Sequence, residues 1–130
     1  MNIIFIAGAW APVLGWAGLI FYLSSIPGLK TNLGLWDLVL RKGAHVTEYA
    51  ILTGLLIRAL RMTRDQFDLK KIFLWSGGLA FVYAVSDEIH QSFVPGRGPS
   101  VLDVLIDTVG VVLCLYYFSR KNRRMVSNEN

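Results

Sequence analysis

The chain is poor in charge, nearly free of cysteine, and without any recognisable cofactor or nucleic-acid motif. Only 17% of its residues are charged while 54% are hydrophobic; an ordinary soluble domain carries roughly 25% charged residues. The single cysteine, Cys114, excludes an internal disulfide and a cysteine-cluster metal site. It lies in an apolar run with nothing nearby to stabilise a thiolate, and reads as a small hydrophobe. No Lys or Arg precedes the first apolar run, and that run exceeds a signal-peptide core, so a retained helix is expected. No phosphate-cradling glycine loop, dinucleotide fingerprint or zinc-protease motif occurs.

What is present is apolar length. The 130 residues suggest one domain. Four stretches approach the roughly 20 residues that cross a bilayer: residues 3–23, 43–60, 72–93 and 101–119. Pro12 falls inside the first and should kink it. The connection 24–42 opens with Pro27 and Gly28 and has room for a short surface helix. The connection 94–100 holds Pro95, Gly96, Gly98 and Pro99 and reads as a tight turn. Short connections favour antiparallel neighbours, so the expected fold is all-α: an integral membrane bundle of four antiparallel transmembrane helices over residues 1–119. Residues 120–130 form a basic tail expected to fray.

The basic residues orient this bundle. Arg58, Arg61, Arg64, Lys70, Lys71, Arg120, Lys121, Arg123 and Arg124 fall at one end; Lys30, Arg41, Lys42 and Arg97 fall at the other. The excess marks the first end as cytoplasmic, with both termini there, in a multi-pass protein of the cell membrane. The +4 charge therefore speaks for membrane orientation rather than nucleic-acid binding. Ala11 and Gly15, with Gly77, Gly78 and Gly110, suit close helix packing.

Ionisable groups at membrane depth are costly and persist where they meet partners, a polar cavity or a substrate. Here they gather toward the outer end: Lys42, His45, Glu48, Asp87, Glu88, His90, Gln91, Arg97, Asp103 and Asp107. Asp87 and Gln91 share a helical face, as do Asp103 and Asp107, as do Lys42, His45 and Tyr49, and as do Arg41, His45 and Glu48. A His among carboxylates suits acid–base work. Arg97 and Lys42 suit an anion. Asp87, Glu88 and Asp103 can orient His45 or gather a divalent cation. The plainer reading makes Asp103–Arg97 and Glu48–Lys42 ion pairs that fix register. Asp103 and Asp107 also suit a helix N-terminus. Ser24 and Ser25, ahead of Pro27, offer hydroxyl nucleophiles, but no elbow-type motif surrounds them and they are expected to satisfy backbone groups at a helix end.

Three blocks of this sequence resemble the VanZ-like family of small membrane proteins. They are Ser24-Ser25-Ile26-Pro27, the run from Arg41-Lys42-Gly43-Ala44-His45 to Leu52, and the run from Asp87-Glu88-Ile89-His90-Gln91 to Arg97 with Asp103, Asp107 and Gly110. The resemblance carries the family's polar signature onto Lys42, His45, Tyr49, Asp87, Glu88, Gln91, Arg97, Asp103 and Asp107. Members commonly have Asn where this chain has Asp107. It implies a bacterial membrane protein; the name-giving member is linked to resistance to the glycopeptide teicoplanin. The expected site residues are therefore His45, Asp87, Glu88 and Asp103 for chemistry, and Lys42, Tyr49, Gln91, Arg97 and Asp107 for binding. The expected partners are membrane lipids, with a lipid-linked or glycopeptide ligand. Two functions stand side by side: an enzyme acting on an anionic amphiphile, and a non-catalytic binding module.

Overall fold

A computed structural model describes residues 2–27, 34–98 and 100–128. Gly28, Lys30 and Pro99, named above, lie outside them. The architecture is all-α, with four helices: α1 (Ile3–Ser24), α2 (Leu35–Thr63), α3 (Leu69–Gln91) and α4 (Val101–Asn128). Caps mark two starts. The Asn2 side chain accepts from the Ile4 N–H, and the Asp68 side chain from the Lys71 N–H. Gly34, with φ of 58°, leads into α2 through backbone that favours glycine.

α1 is one helix with Pro12 inside it. Two boundaries differ from expectation. Residues 35–42 do not form a separate surface helix but extend α2 to 29 residues. Residues 120–128 continue α4 as helix instead of leaving it at residue 119. No proline or glycine interrupts residues 120–128, and a helix already nucleated propagates cheaply.

Among the described residues, three helices are long and apolar enough to cross a membrane: Ile3–Ser24, Leu69–Gln91 and Val101–Met125. α2, expected as a fourth, carries too many polar groups to qualify by composition. Its position explains how it tolerates them. α2 packs against each of the other three helices, most extensively against α4, whereas α1 and α4 do not pack together. It is the central helix, and its buried face (Tyr49, Leu52, Leu56, Ala59, Leu60, Thr63) follows helical spacing. Outward, the other helices present large apolar side chains, among them Ile3, Ile4, Leu14, Leu74, Val82, Leu105 and Val112.

Side-chain contacts give the relative run of the helices. Trp10 meets Thr63 and Trp16 meets the Glu48 carbonyl, so α1 and α2 align in opposing order. Tyr83 bonds the Ala17 carbonyl and Ser24 bonds Asp87, so α1 and α3 align in the same order. Lys42–Asp103 and His45–Asp107 align α2 and α4 in the same order. Gly110 is required there: a Cβ on it would collide with the Val46 carbonyl of α2. Gly77 closes on Leu115 more gently, while Gly15 and Gly78 face open space.

Candidate functional site

Each helix carries a buried stripe that is apolar along most of its length and polar at one end. On α1 the stripe Ala9, Val13, Ile20 ends in Ser24. On α3 the stripe Ile72, Ser76, Ala80, Ala84 ends in Asp87 and Gln91. On α2 the stripe begins with Tyr49, one turn beyond His45, and on α4 Asp107 precedes Gly110 and Val111. The contact order above brings these four ends to one level. Burying charged groups costs free energy unless each finds a partner, and here each stripe's polar end lies against another's.

Two pairs stitch α2 to α4, one turn apart. Lys42 Nζ pairs with Asp103, and His45 Nδ1 lies 3.0 Å from Asp107 Oδ1. Asp107 is 1% exposed. A His whose Nδ1–H is held by a carboxylate presents Nε2 in a fixed orientation. Burial lowers the pKa of Lys42, just ahead of the segment expected to span. The adjacent Arg41 pushes the same way, while Asp107 and Glu88 oppose.

A second cluster joins α1, α2 and α3. Asp87 Oδ2 accepts from the Ser24 hydroxyl at 2.7 Å, from Gln91 Nε2 at 3.1 Å and from the Tyr49 hydroxyl at 3.4 Å. Glu88 turns elsewhere and accepts from the Ser100 N–H, tying the end of α3 to the start of α4. Arg97 Nη2 donates to the Leu23 carbonyl at 3.4 Å.

Between the clusters opens a cleft of about 380 Å³. Three cations (Arg41, Lys42, Arg97) and His45 line it together with Glu48, Asp103, Ser24 and Gln91; Leu23 and Leu38 supply apolar wall. Arg41 is paired with Asp37 at 3.0 Å and Lys42 with Asp103. Among the described residues, Arg97 pairs with no carboxylate.

The site residues expected from sequence thus divide. Lys42, His45, Gln91, Arg97 and Asp103 line the cleft. Tyr49, Asp87, Glu88 and Asp107 do not; they are buried behind it. His45 is oriented by Asp107, not by Asp87, Glu88 or Asp103, because the α2–α4 register sets it one turn from Asp103. Asp103 pairs with Lys42 rather than Arg97, and Lys42 does not pair with Glu48. The divalent-cation option through Asp87, Glu88 and Asp103 finds no ligand group: among the described residues no three His, Cys, Asp or Glu side chains converge that way. Arg41 and Glu48, which share a helical face with His45 at spacings of four and three, line the cleft beside it. Ser24 was expected to serve its own helix end and instead faces Asp87.

A family model described as VanZ/LLP1 matches residues 7–122. No curated protein and no solved structure matches the chain.

Proposed function

The chain belongs to the VanZ/LLP1 family, and from that premise we propose that it is an antiparallel four-helix integral membrane protein whose outward cleft receives the anionic head of a membrane amphiphile. Phospholipids and lipid-linked cell-wall precursors are the ligand class. The cleft opens at the end of the bundle opposite the larger basic group, so both termini lie in the cytoplasm. The acyl chains remain among the apolar outer faces while the head enters.

The observation that carries this reading is Arg97. It is a half-buried guanidinium in the wall of a cleft, in salt-bridge contact with no carboxylate among the described residues and facing Glu48 only through the longer-range attraction of opposite charges. A guanidinium in such a setting favours a phosphate or carboxylate that it binds in bidentate fashion. Lys42 and Arg41 reinforce the local positive field. His45, oriented by Asp107, is the group that gives or takes a proton beside the bound head.

The test is titration of the purified protein in nanodiscs with anionic and zwitterionic phospholipids of matched chains. The wild type is expected to prefer the anionic lipid. Arg97→Ala is expected to weaken that binding roughly ten- to a hundredfold, the worth of a hydrogen bond to a charged group, and to leave zwitterionic binding unaltered. Equal affinity for both lipids would sink the reading.

A further inference from the structure

Two adjacent serines end α1, and their hydroxyls do different things. Ser25 Oγ donates to the Phe21 carbonyl at 2.7 Å, the bond of a helix end closing on itself. It also lies 2.9 Å from His90 Nε2. A hydroxyl has one proton. With that proton given to Phe21, His90 must be the donor to Ser25, and His90 is no base toward it. His90 also stacks on the Phe21 ring.

Ser24 is arranged the other way. Its hydroxyl leaves its own helix and donates across the bundle to Asp87 Oδ2 at 2.7 Å. Gln91 Nε2 donates to Ser24 Oγ at 3.3 Å and also holds Asp87. Ser24 lines the cleft. A nucleophile within hydrogen-bond reach of a base, with the base held in turn by further groups, is the arrangement that nucleophilic catalysis requires. Gln91 and Tyr49 fill the third role here. Asp87 Oδ1 is buried and has no hydrogen-bond partner among the described residues. Buried polar atoms normally find partners; this one leaves the carboxylate with unspent capacity for a proton. Arg97 is bonded to the carbonyl of Leu23, the residue that precedes Ser24.

We propose that Ser24 is a nucleophile and Asp87 its base, for displacement at the phosphorus of a phosphoester lipid. The proposal rests on the reading of the cleft as an anion site. Ser24 Oγ forms a bond to phosphorus as the bond from phosphorus to the leaving alcohol breaks. The hydroxyl proton passes to Asp87 Oδ2, and the leaving oxygen takes a proton from protonated His45. Water or a second alcohol then attacks the phosphoserine and gives its proton to His45. Ser24 departs with the proton held by Asp87, and the protein is restored.

The full chain, purified in detergent, is incubated with a long-chain alkyl fluorophosphonate. This probe places phosphorus on an activated hydroxyl with loss of fluoride, and it needs no anionic head, so it reports on Ser24 whether or not the cleft prefers anions. The expected result is one adduct by intact mass, mapped to Ser24. Ser25→Ala keeps the adduct and Ser24→Ala loses it. Asp87→Asn, which keeps an oxygen toward Ser24, slows labelling by roughly 10²- to 10⁴-fold, the worth of a general base, while retaining the wild-type thermal transition. No adduct on the wild type, an adduct mapped elsewhere, or Asp87→Asn labelled at the wild-type rate would each overturn the proposal.

Discussion

Asp87 Oδ2 accepts three hydrogen bonds from three helices at once, which makes it the residue on which the α1–α2–α3 end depends. Its replacement separates charge from hydrogen bonding. Asp87→Ala leaves the Ser24, Tyr49 and Gln91 donors without their acceptor. A buried donor left unmade costs about 1–3 kcal/mol, so a large drop in the thermal transition is expected in detergent. Asp87→Asn retains an oxygen and is expected to cost far less. Equal losses for the two would mean that the charge, not the bonding, matters there. The His45–Asp107 pair is a simpler case, two side chains joined by one bond. A double-mutant cycle with His45→Ala and Asp107→Ala is expected to return a coupling of about 0.5–3 kcal/mol. Asp107→Asn is expected to keep most of the stability, because its oxygen still accepts from Nδ1–H. A coupling near zero would show that the pair does not hold α2 to α4.

At the scale of elements, the α2–α4 contact sets the register of both ion pairs, and Gly110 permits it. A methyl group there has nowhere to go but into the Val46 backbone. Gly110→Ala is expected to destabilise by about 1–3 kcal/mol, the usual cost of overpacking, and to weaken anionic-lipid binding because Lys42 and His45 lose alignment with Asp103 and Asp107. Gly15→Ala is the control: it meets open space on α1 and gains up to about 1 kcal/mol of helix propensity. If both behave alike in thermal melts, close approach at Gly110 is not what positions the pairs. The same elements mark where sequence reading succeeds. The polar ends of α2, α3 and α4 are legible because polar residues recur there at spacings of three and four and the connections are short. The division between Asp87 and Glu88 is not legible, since neighbours in sequence point 100° apart on a helix, and only the packing decides which faces Ser24 and which faces Ser100. The continuity of α2 from Leu35 is hidden for a related reason: Pro27 and Gly34 announce a break but not where the helix resumes. Asp107 as the partner of His45 depends on register between two helices that are not adjacent in sequence.

The whole molecule presents an apolar belt that water would not tolerate, with Ile4, Leu14, Leu74, Val82, Leu105 and Val112 all exposed. Monomeric soluble proteins rarely show contiguous apolar patches beyond a few hundred Å²; lipid chains are the solvent such a belt fits. The polar cleft lies at one end of this belt and the larger basic group at the other, where Arg61 lies over the Phe118 ring and Arg120 over the Tyr116 ring. Anchored in this way, the two ends differ in charge, and the excess of Lys and Arg predicts which one stays inside. Single cysteines placed in a Cys114→Ala background read this out. Ser92, exposed just after α3 at the cleft end, and Gln66, exposed between α2 and α3 at the opposite end, are suitable positions. Ser92→Cys is expected to react with a membrane-impermeant maleimide in intact cells, and Gln66→Cys only after permeabilisation. The reverse pattern would put the cleft in the cytoplasm, where its ligands would have to come from the inner leaflet, and an outer-face cell-wall precursor would no longer be within its reach.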